Sequence, residues 1–130
     1  MSTSKSSMRT PLGRVRNLGS ARAGTTDFWR QRLTAVAMIL LIIPVIVIVI
    51  MMLGSHAAAT QILGSPVVAI FLIMFIIASV WHMKIGMQVV IEDYVIDEKL
   101  KLVAIIGNNF FSMAVALAAI YAILKKSLGV

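Results

Sequence analysis

Few residues of this 130-residue chain could carry out chemistry, and the most prominent is a histidine within an apolar stretch. His82 lies ten residues before Glu92, which is roughly 15 Å along a helix. An ionisable side chain at membrane depth indicates a functional site by default. A neutral histidine that is hydrogen-bonded to a neighbouring helix is the alternative, and His82 alone does not decide between the two.

The residues that follow His82 favour a ligand. Gly86 and Asp93 come four and eleven residues later. At about 100° per residue these offsets are about 40° and 20°, so the three residues share one helix face. A glycine beside a histidine leaves room for a flat ligand, and a haem needs that room next to its axial histidine. A glycine that only permits close helix packing would give the same pattern.

Other polar residues lie at the ends of the apolar segments. Tyr94 and Asp93 end the segment that contains His82. A phenol beside a carboxylate can donate a hydrogen bond to a quinone carbonyl, although a tyrosine at this level is also a common membrane anchor. Arg30 and Arg32 precede the first apolar segment. They either mark the cytoplasmic side or neutralise haem propionates and other acidic groups.

Two further residues are expected outside this site. Lys84 is about 200° around the helix from His82, so we expect it to face a partner helix or a water-filled gap. His56 falls in a predicted loop on the outer side, where we expect a solvated side chain. The residue types assign a function to neither of them.

The elements that must position these residues are membrane-spanning helices. Hydrophobic residues make up 60% of the chain and charged residues 13%, against about 45–50% and 25% in soluble domains. Residues 33–83 contain no Asp, Glu, Lys or Arg over 51 positions, and residues 102–124 add 23 more. Uncharged apolar stretches of about 18 residues or more are typical of membrane-spanning helices.

The chain is therefore predicted to be an all-α integral membrane protein with one membrane-anchor domain over residues 1–130. A basic tail over residues 1–32 precedes spans at about 33–53, 66–91 and 102–124. A short loop (54–65) and a charged loop (92–101) join the spans. Pro44 is expected to kink the first span, which membrane helices tolerate, and Pro66 suits a first helical turn.

The basic residues predict the orientation. Seven of the twelve lie in the first 32 positions, two in the 92–101 loop, two after the third span and none in the 54–65 loop. The tail and the 92–101 loop together have nine basic residues, and the 54–65 loop and the C-terminus together have two. This asymmetry predicts that the N-terminus is inside and the C-terminus outside. Basic residues that set the orientation and contact anionic lipid explain the net charge of +7, so nucleic-acid binding is not needed to explain it. Because residues 1–26 lack acidic residues, a mitochondrial transit peptide is the less favoured alternative to a cytoplasmic tail.

Composition and spacing also limit the partners and the chemistry. Ala114, Ala118 and Ala122 form a small-residue stripe, which predicts close approach by a helix of a partner chain. The absence of cysteine excludes disulfides, cysteine-ligated iron–sulfur clusters and thiolate zinc sites. Neither phosphate-binding glycine fingerprint is present.

The segment from His82 to Tyr94, with Gly86 and Asp93 within it, resembles the signature of the cytochrome b membrane-anchor subunits of succinate dehydrogenase. The similarity is to the smaller hydrophobic anchor, usually called the D subunit. Residues 24–35, GTTDFWRQRLTA, resemble the start of that family's first helix. Together with three spans in the same order, the resemblance covers about residues 19–126.

The resemblance implies a role for each candidate residue. His82 would be the axial ligand of a haem b iron, with Gly86 beside it and Arg32 near the haem propionates. Tyr94 would hydrogen-bond ubiquinone, and Asp93 would support that quinone site. The chain has two histidines, and His56 is too far from His82 for one haem to join them. The second haem ligand is therefore expected from a partner chain.

The resemblance also implies partners and a location. The chain would assemble with a second cytochrome b anchor, an iron–sulfur subunit and a flavoprotein. The complex would pass electrons from succinate to quinone in the tricarboxylic acid cycle and respiratory chain. We expect it in the inner membrane of a bacterium, with a mitochondrial inner membrane less favoured. The alternatives are a fumarate reductase anchor and a small scaffolding or transport subunit without haem.

Overall fold

A computed structural model describes residue 12 and residues 23–129 of the chain. Residues 23–129 form four α-helices, and the described residues contain no strand: α1 (Ala23–Met52), α2 (His56–Leu63), α3 (Pro66–Tyr94) and α4 (Glu98–Ser127). Helices α1, α3 and α4 are each long and apolar enough to cross a membrane. The prediction of an all-α membrane protein with three spanning helices is confirmed. The choice between a cytoplasmic tail and a transit peptide concerns residues 1–26, most of which lie outside the described residues.

The long helices are arranged around α3. Helix α3 packs against α1 on one side and against α4 on the other, whereas α1 and α4 do not pack against each other in residues 23–129. The short helix α2 contacts all three of them. Helix α3 therefore forms two separate interfaces, one with α1 and one with α4.

The helices extend beyond the predicted spans. Helix α1 has 30 residues and begins at Ala23, ten residues before the apolar stretch. At 1.5 Å per residue it is about 45 Å long, whereas the hydrocarbon core of a bilayer is about 30 Å thick. Hydropathy identifies only the apolar part of α1, which begins at residue 33, whereas the helix also includes the polar residues 23–32. Pro44 lies inside α1 and does not end it.

The predicted loop at 54–65 is largely helical, so that prediction was wrong. Ser55 caps α2, because its Oγ accepts a hydrogen bond from the Ala58 N–H at 3.1 Å. The alanines that follow Ser55 are strong helix formers, and this preference outweighs the loop character of the flanking glycines. His56 begins α2 and is exposed.

The predicted loop at 92–101 is shorter than expected. Only residues 95–97 separate α3 from α4. Asp97 caps α4 by accepting the Leu100 N–H at 2.8 Å, and Glu98 lies in the first turn. Lys125 and Lys126 lie in the last turn of α4. Acidic residues at the start of a helix and basic residues at its end both suit the helix dipole.

The bundle has a small interior. Its buried residues in the described chain are four hydrophobic ones (Ile48, Ala69, Ala78 and Ile85) and two polar ones (Asn108 and Ser112). Most large apolar side chains are exposed, and lipid tails solvate such side chains without cost. The three alanines of the predicted stripe are also exposed, so the stripe does not face α3. Its use by a partner chain stays a prediction.

Candidate functional site

His82 is half-buried on α3 and faces the polar beginning of α1. Its Nδ1 lies 3.1 Å from Thr34 Oγ1, and its Nε2 lies 3.3 Å from Gln31 Nε2. Gln31 and Thr34 are three residues apart on α1, which places them on neighbouring turns of one face. Two side chains of α1 therefore contact the two nitrogens of one imidazole.

The Thr34 hydroxyl has more than one neighbour. It donates to the backbone carbonyl of Arg30 at 2.8 Å and is also within 3.1 Å of the Gln31 carbonyl. A threonine in a helix commonly bonds the carbonyl one turn earlier in this way. Its oxygen is thus held by the backbone of α1 while it contacts the imidazole.

Gly86 lies one turn after His82 and faces the same side chain. A Cβ added at Gly86 would lie 3.4 Å from Gln31 Nε2. The amide of Gln31 therefore covers both His82 and Gly86. The structure brings this predicted pair together on one face of α3, against α1.

The other predicted site residues lie apart from this contact. Asp93 and Tyr94 end α3 and are exposed, with 80% of Tyr94 accessible. Arg32 is exposed, and its guanidinium carbon lies 4.8 Å from the centre of the Phe28 ring. Among the residues that the structure describes, no hydrogen bond or ion pair links any of these three to His82.

An open groove of about 360 Å³ is lined by residues of α1, α3 and α4. Lys84 lines this groove. Asp27 and Arg30 form an ion pair at 3.8 Å and line it from α1. Its other walls are mixed, with polar and apolar side chains from α3 and α4 such as Trp81, Gln88, Asn109, Ser112 and Met113.

The α3–α4 interface contains polar side chains of its own. Asn108 is 8% exposed, and its Nδ2 donates to the backbone carbonyl of Lys84 at 2.9 Å. Ser112, one turn later, is 2% exposed, and its Oγ has no hydrogen-bond partner. The Oδ1 of Asn109 is likewise buried without a partner. This interface therefore combines one satisfied polar group with two unsatisfied ones.

The polar neighbours of the two interfaces were not among the predicted site residues. Gln31 and Thr34 lie within residues 24–35, the segment that resembles the start of the family's first helix. Asn108 and Ser112 are four residues apart within an uncharged stretch. Polar residues at helical spacing in a membrane segment indicate an interhelical contact, so this pattern could have found them.

Residues 6–121 match the family model described as succinate dehydrogenase/fumarate reductase transmembrane subunit. The chain belongs to this family. It is 32% identical over 119 residues to the succinate dehydrogenase hydrophobic membrane anchor subunit of Rickettsia bellii (strain RML369-C), covering 91% of this chain and 95% of that protein. The protein of the same name from Paracoccus denitrificans is 32% identical over 121 residues, covering 92% of this chain and 93% of its own length.

A more distant relative agrees with this membership. The succinate dehydrogenase membrane anchor subunit of Reclinomonas americana is 26% identical over 88 residues, covering 65% of this chain and 73% of that protein. No solved structure gives a significant match. The predicted membership of the succinate dehydrogenase anchor subunits is confirmed, and with three apolar spans the chain is a multi-pass membrane anchor.

Proposed function

We propose that this anchor binds haem b through His82 and contributes Tyr94 and Asp93 to a ubiquinone site. The haem proposal rests on the contacts that the two ring nitrogens of His82 make. Thr34 holds Nδ1, and the far end of a flexible glutamine is the contact at Nε2. Metal-bound histidines typically have their second ring nitrogen held in this way by a neighbouring group.

The residues around His82 fit a haem. Gly86 leaves the helix surface open one turn away, and the built Cβ there meets only the movable amide of Gln31. If the anchor binds haem, His82 would hold the iron, and the exposed guanidinium of Arg32 would pair with a haem propionate. The haem would supply one-electron redox chemistry. His56 begins α2, so the second axial ligand would come from a second anchor chain.

The quinone proposal rests on the end of α3. Tyr94 is 80% exposed at the last residue of α3, and Asp93 precedes it and is also exposed. The end of a spanning helix is where a lipid-soluble head group would meet the protein. The phenol donates a hydrogen bond to a quinone carbonyl, and Asp93 supports the site at the water boundary. Other subunits would complete the walls around the head group.

The partners and the location follow from the same role. Because the chain has no cysteine, the iron–sulfur clusters would lie in a separate subunit next to a flavoprotein. These subunits would dock on the inner face of a bacterial inner membrane, where the distribution of basic residues predicts the N-terminus and the α3–α4 connection. Electrons from succinate would then reach quinone in the tricarboxylic acid cycle and respiratory chain. A fumarate reductase anchor would use the same site in the reverse direction.

The test is the visible spectrum of the complex assembled with its partner subunits. The wild type is expected to show a reduced b-type haem band, and His82→Ala is expected to alter or abolish it. His56→Ala is the matched control, because this exposed histidine of α2 should leave the band unchanged. A colourless wild-type complex would overturn the haem proposal and favour a scaffolding anchor.

A further inference from the structure

We propose that Thr34 is a positioning residue that prepares His82 to bind a metal, and that Gln31 covers the metal-binding nitrogen of His82 until the metal binds. Thr34 fixes the protonated nitrogen of the ring, and Gln31 occupies the position that an iron would take at Nε2. The inference rests on the proposed haem function and deepens it. It gives α1 a role in preparing His82, the haem ligand of the proposed function, which lies on α3.

The first step concerns the single hydrogen of the Thr34 hydroxyl. That hydrogen is donated to the backbone of α1, to Arg30 O at 2.8 Å or Gln31 O at 3.1 Å. A hydroxyl has one donor and two acceptor lone pairs. Toward His82 Nδ1, at 3.1 Å, Thr34 is therefore the acceptor, and the ring nitrogen carries the hydrogen.

The second step concerns the other ring nitrogen. When Nδ1 of a neutral imidazole is protonated, Nε2 has a free lone pair. The Gln31 amide can donate to this lone pair at 3.3 Å, so both contacts agree with the same tautomer. A lone pair on Nε2 is also the donor that a haem iron requires.

The third step concerns how easily Gln31 can leave. Its contact with His82 is long, at 3.3 Å, and its Oε1 is buried without a hydrogen-bond partner. A buried acceptor without a partner carries a desolvation penalty, which the side chain escapes by turning away. The same amide nitrogen is the nearest atom to a Cβ built at Gly86. Withdrawal of one side chain therefore exposes Nε2 and the glycine surface together.

The Thr34 contact then has a consequence for the bound metal. A hydrogen bond from Nδ1–H to an acceptor orients the ring and increases electron donation by Nε2. Greater electron donation stabilises the ferric state over the ferrous state and lowers the midpoint potential. Loss of such a partner typically costs about 10–100-fold in metal affinity.

The experiment compares Thr34→Val with Thr34→Ser in the assembled complex. Valine keeps the shape and removes the hydroxyl, whereas serine keeps the hydroxyl. Thr34→Val is expected to weaken haem retention about 10–100-fold and to raise the haem midpoint potential, and Thr34→Ser should restore both. Wild-type retention and potential in Thr34→Val would overturn the role of Thr34.

Gln31→Ala tests the second residue in the same assay. If Gln31 only occupies the position of the iron, its removal should leave haem retention equal to or greater than that of the wild type. A loss of haem as large as that in Thr34→Val would overturn this role.

A measurement without haem separates this inference from the proposed function. In a haem-depleted complex with only this chain ¹⁵N-histidine-labelled, and with His56→Ala present, nitrogen NMR reports which nitrogen of His82 is protonated. Nδ1–H is expected with Thr34 and loss of that preference with Thr34→Val. A wild-type ring protonated only at Nε2 would overturn the inference whether or not the native complex carries haem.

Discussion

The two sides of α3 bring polar groups together in different ways. Toward α1, both nitrogens of His82 contact side chains, Thr34 at 3.1 Å and Gln31 at 3.3 Å. Toward α4, the hydrogen bond from Asn108 goes to the backbone carbonyl of Lys84 at 2.9 Å. The contact with α1 requires a histidine side chain at position 82 of α3. The contact with α4 uses only the backbone of α3 at position 84, so it does not depend on the side chain there.

The difference indicates a division of roles between the two interfaces. A contact with a backbone carbonyl holds two helices together irrespective of side-chain chemistry, which is how polar residues act between membrane helices. A contact between the side chains of Gln31 and His82 can be exchanged for another ligand, because the Gln31 amide is the far end of a flexible side chain. Under the proposed function, ligand binding belongs to the α1 side of α3 and helix packing to the α4 side.

The largest expected effect comes from filling the space beside His82. Gly86→Leu should abolish haem binding, because its branched side chain extends into the volume that Gln31 covers. Gly86→Ala is the matched control: its Cβ would approach Gln31 Nε2 at 3.4 Å, and that flexible group can shift. Haem content per assembled complex is the measurement. Full haem content in Gly86→Leu would show that the glycine serves packing alone.

The next largest effect lies at the end of α3, outside both interfaces. Tyr94→Phe keeps the ring and removes the hydroxyl, at a cost of about 1–3 kcal/mol if that group bonds the quinone. Each 1.36 kcal/mol is about tenfold in rate, so quinone reduction should fall by roughly one to two orders of magnitude. The haem band should not change.

The control for Tyr94→Phe is succinate oxidation with an artificial acceptor that draws electrons from the soluble subunits. This activity should continue at the wild-type rate. Equal loss of both activities would point to failed assembly, and loss of neither would leave Tyr94 as an interfacial anchor.

A smaller effect is expected on the α4 side. Asn108→Leu removes the hydrogen bond to Lys84 O and should destabilise the chain by about 0.6 kcal/mol, the average for polar contacts between membrane helices, and by no more than about 1.7 kcal/mol. Detergent-induced unfolding of the purified complex measures this change. The haem spectrum should stay as in the wild type, and a loss of haem would contradict the division between the two interfaces.

The smallest effect is expected at Ser112. Its Oγ is buried without a partner, so Ser112→Ala removes a desolvated hydroxyl and breaks no hydrogen bond. Stability in the same unfolding assay should stay unchanged or rise by up to about 1 kcal/mol. A clear loss of stability would mean that Ser112 bonds a molecule in the adjacent groove.

Much of the fold could be predicted because lipid imposes simple rules. A long uncharged stretch must form a helix, since backbone groups in lipid have no other way to make hydrogen bonds. The shared face of His82 and Gly86 follows equally from helical geometry. The ends of the helices were less predictable, because caps such as Ser55 and Asp97 act in water, where hydropathy gives no signal.

The sequence by itself determined three spanning helices, their charge asymmetry and one histidine beside a glycine. Only the tertiary structure decided what that histidine meets. Periodicity places His82 and Gly86 on one face of α3, but it carries no information about which helix packs there or at what height. The packing of α1 against α3 brings Thr34 and Gln31 to the two ring nitrogens. These contacts join residues about 50 positions apart, and close approach in space, not local spacing, creates them.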